Sequence, residues 1–163
     1  MQFQASVRVQ APAGRVWAAM TDWPQHGHWV PLTSVWVVSG PGAGVGTSFV
    51  ARTAVGPLGF DDPMTVGRWE PPAGDAPGDR PGRCDVEKTG RVVHGRAWFE
   101  VVPLADGVSQ VTWHEQVSVW PRLLTRPLSP LLSSIGRLLF SRTLRAMAAD
   151  VQQAPETYWQ TRM

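Results

Sequence analysis

From Pro130 the chain runs to Pro155 without another proline, and apolar residues recur along that stretch at helical spacing. Leu131, Ile135, Leu138, Leu139 and Phe140 form a broad apolar side, continued by Leu144, Met147 and Val151. Ser129 suits an N-cap and Pro130 a first helical position, so one long helix is expected to reach Gln153. The preceding part has a different character. Residues 33–120 read as strands and turns, rich in β-branched and aromatic residues and punctuated by Gly and Pro. Strands first and one long helix last define an α+β chain.

The start of the chain is just as specific. Phe3, Ala5, Val7 and Val9 alternate with polar residues, which is the period of a half-buried strand. Val16, Trp17 and Met20 then fall on one side of a short helix. Pro24 ends it, because the residue before a proline is pushed out of the helical region, and a second short helix follows to about Val30. About seven strands are expected in all, with GPGAGVG (residues 40–46) and Asp106-Gly107 as hairpin turns and residues 71–82 as a long loop. Residues 1–155 read as a single domain and residues 156–163 as a loosely held tail.

Several function classes fall away on composition. The formal charge is only +2, and no arginine cluster is interleaved with aromatics as a nucleic-acid binder would need. Lys88 is the only lysine and Cys84 the only cysteine, so no internal disulfide forms. MQFQASVRVQ lacks the apolar core of a signal peptide, and no run approaches a membrane span, so a cytoplasmic protein is expected. Tryptophan is the outlier, with nine copies. Cores fill readily with aliphatic residues, and each indole N–H wants a partner when buried. Many large rings spread over several elements suit a hollow interior whose walls they form.

Four segments carry a family resemblance: residues 11–31, with AP, VW, DW, H, W and P in that order; VGTSF (45–49); TGRVVHGRAWF (89–99); and VTWHE (111–115). With the element order, they resemble the START and pollen-allergen-like (SRPBCC) superfamily, in its bacterial polyketide cyclase/dehydrase branch. The resemblance spans residues 3–153 and implies a helix-grip fold, in which a curved antiparallel sheet wraps the C-terminal helix and leaves a cavity between them. It also implies that Val16, Trp17, Met20 and Trp29 close one end and form part of the wall, while Trp23 anchors the bend.

Strand parity then selects candidates. Val111, Trp113, Glu115 and Val117 share one face, so a cavity-facing Trp113 brings Glu115 in with it. A carboxylate in an apolar pocket would have a raised pKa and serve as acid or base. Its expected polar companions are His94 and Arg96, and the alternative is a Glu115 near the strand end, solvated or paired with an arginine such as Arg96. Either Phe99 or Trp98 lines the cavity, not both, and Trp36, Phe49 and Trp69 meet the same two-way choice. The candidate ligand-binding set is Trp17, Met20, Trp29, Trp36, Phe49, Phe99, Trp113, Leu138 and Leu139.

Other motifs fail on chemistry. His26 and His28 lack the further ligands a metal needs, and the glycine turn has no phosphate-loop lysine and leads into a strand. No GxSxG is present, and no histidine lies close to Cys84 in sequence. No metal, nucleotide or other cofactor is therefore expected. Three functions stay open: a carrier or sensor of a small hydrophobic ligand, a polyketide cyclase/dehydratase-type enzyme, and a module docking on membrane or protein. The last would use the segment from Arg122 to Arg145, which holds five arginines, many leucines and no acid.

Overall fold

Period-two alternation becomes the two faces of one sheet. The structure, a computed structural model, describes residues 1–105, 107–121 and 127–154. In chain order it contains β1 (Gln2–Val9), α1 (Ala13–Thr21), a 3-10 turn (Trp23–Gln25), α2 (His26–Trp29), β2 (Thr33–Ser39), β3 (Ser48–Val55), β4 (Leu58–Glu70), β5 (Gly82–Thr89), β6 (Val93–Ala105) and β7 (Val108–Val119). The long helix, α3, spans Ser129–Gln153. All seven strands join one antiparallel sheet in the order β1-β7-β6-β5-β4-β3-β2. The chain start thus pairs with the last strand, and β2 is the far edge.

Parity is clean on most strands. Val111, Trp113, Glu115 and Val117 of β7 are all buried, as are Cys84, Val86 and Lys88 of β5. On β6, Ala97, Phe99 and Val101 point inward, which resolves the two-way choice in favour of Phe99. Trp98 lies on the outer face, stacked on His114 with ring centroids 4.8 Å apart. β4 carries a bulge between Val66 and Arg68. The extra residue shifts parity, so Val66 and Trp69 both turn inward despite their odd separation. The glycine turn behaves as expected: Gly40, Gly42, Gly44 and Gly46 all have positive φ.

The short helices cap one end of the concave face. Val16, Trp17 and Met20 are buried on one side of α1. Pro12, at its N-cap, has no side-chain oxygen to offer; Asp75 of the β4–β5 loop supplies one, its Oδ1 accepting from the Gly14 N–H at 2.8 Å. Trp17 packs edge-on against Trp69 at 5.3 Å and against Phe99 at 5.5 Å. Trp23 stacks on Phe49 at 4.2 Å and locks the bend between the helices. This end of the sheet is solidly filled.

α3 keeps only part of its expected face. Leu144, Met147 and Val151 are buried and Ile135, Leu139 and Phe140 face the cavity side, but Leu131 and Leu138 turn to solvent, Leu138 exposed by 56%. Gly136 approaches Phe3 so closely that a Cβ there would meet the ring at 2.6 Å. The inward stripe of the first half therefore runs through a glycine, and the leucines that dominate the pattern fall beside it. The cap also shifts by one residue, with Leu128 as N-cap and Ser129 and Pro130 inside the first turn. Asp106, Arg122, Arg126 and the tail from 156 onward lie outside the described residues.

Candidate functional site

α3 meets the sheet along β1, and beyond the filled end a cavity of about 310 Å³ lies between the helix and the concave face. Phe3, Phe49, Met64, Trp113 and Val117 line it from the sheet; Met20, His26 and Trp29 close it from the short helices. α3 contributes Leu132, Ile135, Gly136, Leu139, Phe140 and Met147. The rings brace one another: Phe140 sits 5.3 Å from Phe3 and 5.5 Å from Trp113, and Phe99 stacks behind Trp113 at 5.6 Å. Trp29 is held by its indole N–H, which donates to Asp150 Oδ2 of α3 at 3.2 Å.

Into this apolar wall the sheet inserts three ionisable groups. Asp62 of β4 and Lys88 of β5 are each 8% exposed, and Glu115 of β7 is 3% exposed. Lys88 Nζ donates to Asp62 Oδ2 at 2.6 Å and lies 3.6 Å from Glu115 Oε1. The Trp113 indole N–H donates to the same Oε1 at 3.1 Å. β6 runs between Lys88 and Glu115, and its residues decide whether they meet. Lys88 is opposite Gly95, and Glu115 is opposite Ala97. With hydrogen and methyl in those places, no side chain separates the lysine from the carboxylate two strands away.

Burial sets the protonation. It pushes the Glu115 carboxyl above its usual range, and the Lys88 ammonium and Trp113 N–H pull back without cancelling it. For Lys88 burial favours the neutral amine, but the Glu115 and Asp62 carboxylates outweigh it and hold the ammonium above its ordinary range. The His26 ring packs against Trp29 and Trp113, and its Nε2–H donates to the Met20 carbonyl at 2.9 Å, an orphan acceptor at the end of α1. Burial lowers the His26 pKa despite that bond. Since the folded value lies below the ordinary one of about 6.5, the stabilisation is intact above that pH and lost as pH falls through it. Wild type should therefore lose thermal stability between pH 7.5 and 5.5, and His26→Phe should lose less over the same interval. Equal losses in both would place the acid sensitivity elsewhere.

Five of the expected residues line this cavity: Met20, Trp29, Phe49, Trp113 and Leu139. Trp17 and Phe99 are buried behind it, in the filled end. Trp36 is a correction: it lies on the outer face of edge strand β2, 42% exposed. Leu138 is another, turned to solvent by the α3 stripe described above. Nor does Glu115 pair with His94 or Arg96. Those residues alternate with Gly95 and Ala97 and so project from the opposite face, where Arg96 Nε donates to Gln116 Oε1 at 2.7 Å. The residues missed were Lys88 and Asp62. Their signal was present: each continues an inward apolar series, Cys84-Val86-Lys88 and Asp62-Met64-Val66. Cys84 is buried, and burial with the nearby Asp85 charge pushes its thiol up to about 12, which leaves it inert. Among the described residues, no three His, Cys, Asp or Glu side chains gather as a metal site, and no helix is long and apolar enough to cross a membrane.

A curved sheet gripping a C-terminal helix across a lined cavity defines a START-like, helix-grip protein. Residues 1–152 match the family described as polyketide cyclase / dehydrase and lipid transport, and the chain belongs to it. Solved structures agree on the fold. A START superfamily protein from Mycobacterium smegmatis is 15% identical, with a TM-score of 0.66 over 93% of this chain and 97% of that one. The aromatase/cyclase Zhui from Streptomyces is 15% identical, with a TM-score of 0.64 over 94% and 96%. Norcoclaurine synthase from Thalictrum flavum, solved with dopamine and hydroxybenzaldehyde, is 16% identical, with a TM-score of 0.61 over 96% and 88%. No curated protein matches the chain in sequence.

Proposed function

We propose that the protein is a carrier or sensor that binds a small, largely apolar molecule between sheet and α3, with a polar end of the ligand reaching Lys88, Asp62 and Glu115. The observation that carries this is the combination in one cavity: about 310 Å³ of apolar, aromatic-rich wall with one buried ionic cluster set into it. Such a site orients a ligand by a few polar contacts and holds it by area. Native mass spectrometry of freshly purified protein should reveal a bound small molecule, and planar apolar compounds should quench tryptophan fluorescence. Trp113→Phe should keep the fold and weaken binding by about 1 kcal/mol, the worth of one aromatic contact beyond its area. A broad panel of planar apolar compounds that leaves the fluorescence unchanged would sink the proposal.

A cyclase/dehydratase-type enzyme is the second reading, favoured by a carboxyl buried in the cavity wall, whose pKa burial raises. Reactions of that kind draw largely on shape and orientation, with one or two groups moving protons. Glu115→Gln separates the readings. An enzyme using the carboxyl keeps affinity and loses turnover, whereas a carrier has no turnover to lose.

A further inference from the structure

The ionic cluster is unbalanced. Two carboxylates surround one ammonium. Lys88 and Trp113 serve Asp62 Oδ2 and Glu115 Oε1, but nothing donates to Asp62 Oδ1, which is sealed from solvent. A buried acceptor left open in this way is costly, because it has given up water and gained no donor in return. The other polar groups around the cavity do not restore the balance. His26, from α2, is favoured neutral and spends its Nε2–H on Met20. The amino group of Met1 donates to the Val117 carbonyl at 2.9 Å. Arg137 of α3 shares a separate groove with Glu115, beside β1.

We propose that the cavity takes an apolar amine, its ammonium seated on the Asp62 carboxylate and its hydrocarbon body against Trp113, Phe140 and Met64. This rests on the binding reading above and names its ligand class. A carboxylate ligand would add a third negative charge to the cluster. A ketone or ester would add an acceptor where acceptors are already in surplus. An alcohol brings a donor but no charge. An ammonium brings both; Asp62 lines the cavity with its side chain slightly exposed, and a partial turn of its carboxylate that keeps Lys88 bound brings the open oxygen to the ligand. Burial raises the Glu115 pKa, and the Asp62 charge adds to that. An ammonium seated beside it favours the ionised carboxyl, so affinity should rise with pH through the Glu115 titration while the ligand stays charged.

The test is titration calorimetry with three probes of one skeleton: 2-(2-naphthyl)ethylamine, 2-(2-naphthyl)ethanol and 2-naphthylacetate, at pH 7.5. The amine should bind about tenfold or more tighter than the alcohol, the return on one charge-assisted hydrogen bond, and the acetate weakest. Asp62→Asn should erase the preference for amine over alcohol. If that variant does not fold, Glu115→Gln should shrink the same preference by removing one of the two negative charges. An acetate that binds as well as the amine, or an amine that gains nothing over the alcohol, overturns the ligand class and leaves the cavity's binding role standing. Failure of all three probes to bind overturns both.

Discussion

Lys88→Met should cost about 3–5 kcal/mol of stability at pH 7, the usual penalty for removing one partner of a buried ion pair. The methionine keeps the stem's bulk, so the loss reports charge and not packing. Asp62 and Glu115 are then two buried carboxylates with no cation between them, and neither can ionise cheaply. The Glu115 pKa, already raised by burial and held back by the Lys88 charge, rises further above the ordinary range of about 4 once that charge is gone. A raised carboxyl pKa leaves stability intact below that range and removes it as pH rises. The deficit relative to wild type should therefore be small at pH 4 and largest at pH 7, read from urea unfolding at both values. A loss of less than about 1 kcal/mol at pH 7, as for an exposed pair, would mean that water reaches the cluster.

Gly95→Ala should be about as damaging, for a different reason. Gly95 has φ of +142°, a conformation L side chains rarely adopt. A Cβ there would stand 2.3 Å from the Gln116 carbonyl oxygen and 2.9 Å from the Val117 Cα, both backbone of β7. Neither atom can swing aside, so β6 and β7 must part in the centre of the sheet. Strain and lost ladder bonds together should cost about 3 kcal/mol or more. The shift also falls where Lys88 crosses β6, so ligand affinity should drop with stability. Gly67→Ala is the control, on the bulge of β4, where an added Cβ meets nothing within 4 Å. A Gly95→Ala midpoint in urea equal to that of Gly67→Ala would refute the close approach.

Much of this was legible because burial has a period. The alternation Val111-Trp113-Glu115-Val117 placed Glu115 on the inner face before any contact was known, and the same rule covers Phe3 and Ala5. The bend at Trp23 followed from Pro24, a constraint local to one peptide unit. Lys88 and Asp62 sit in equally regular series, but a lone lysine or aspartate in a strand is usually wet, so alternation alone does not mark them as buried. What makes them buried is each other, and their pairing depends on β4 and β5 aligning so that Lys88 reaches Asp62. Trp69 shows the converse. Strict alternation from Val66 puts it outside, and the bulge at Gly67 puts it inside.

The sequence by itself determined the element order, the inner face of each regular strand and the excess of rings available to build a wall. Those follow from backbone periodicity and proline geometry, which act over a few residues. Only the tertiary structure decided which rings fill the core and which line the cavity, because that depends on where α1 lies on the sheet. It also turned α3 so that Gly136 and Phe140 face inward and Leu138 faces out, since the helix settles where Phe3 lets it approach. And it joined Asp62, Lys88 and Glu115 across β6, because strand register and a missing side chain at Gly95 are properties of the assembled sheet and of no single segment.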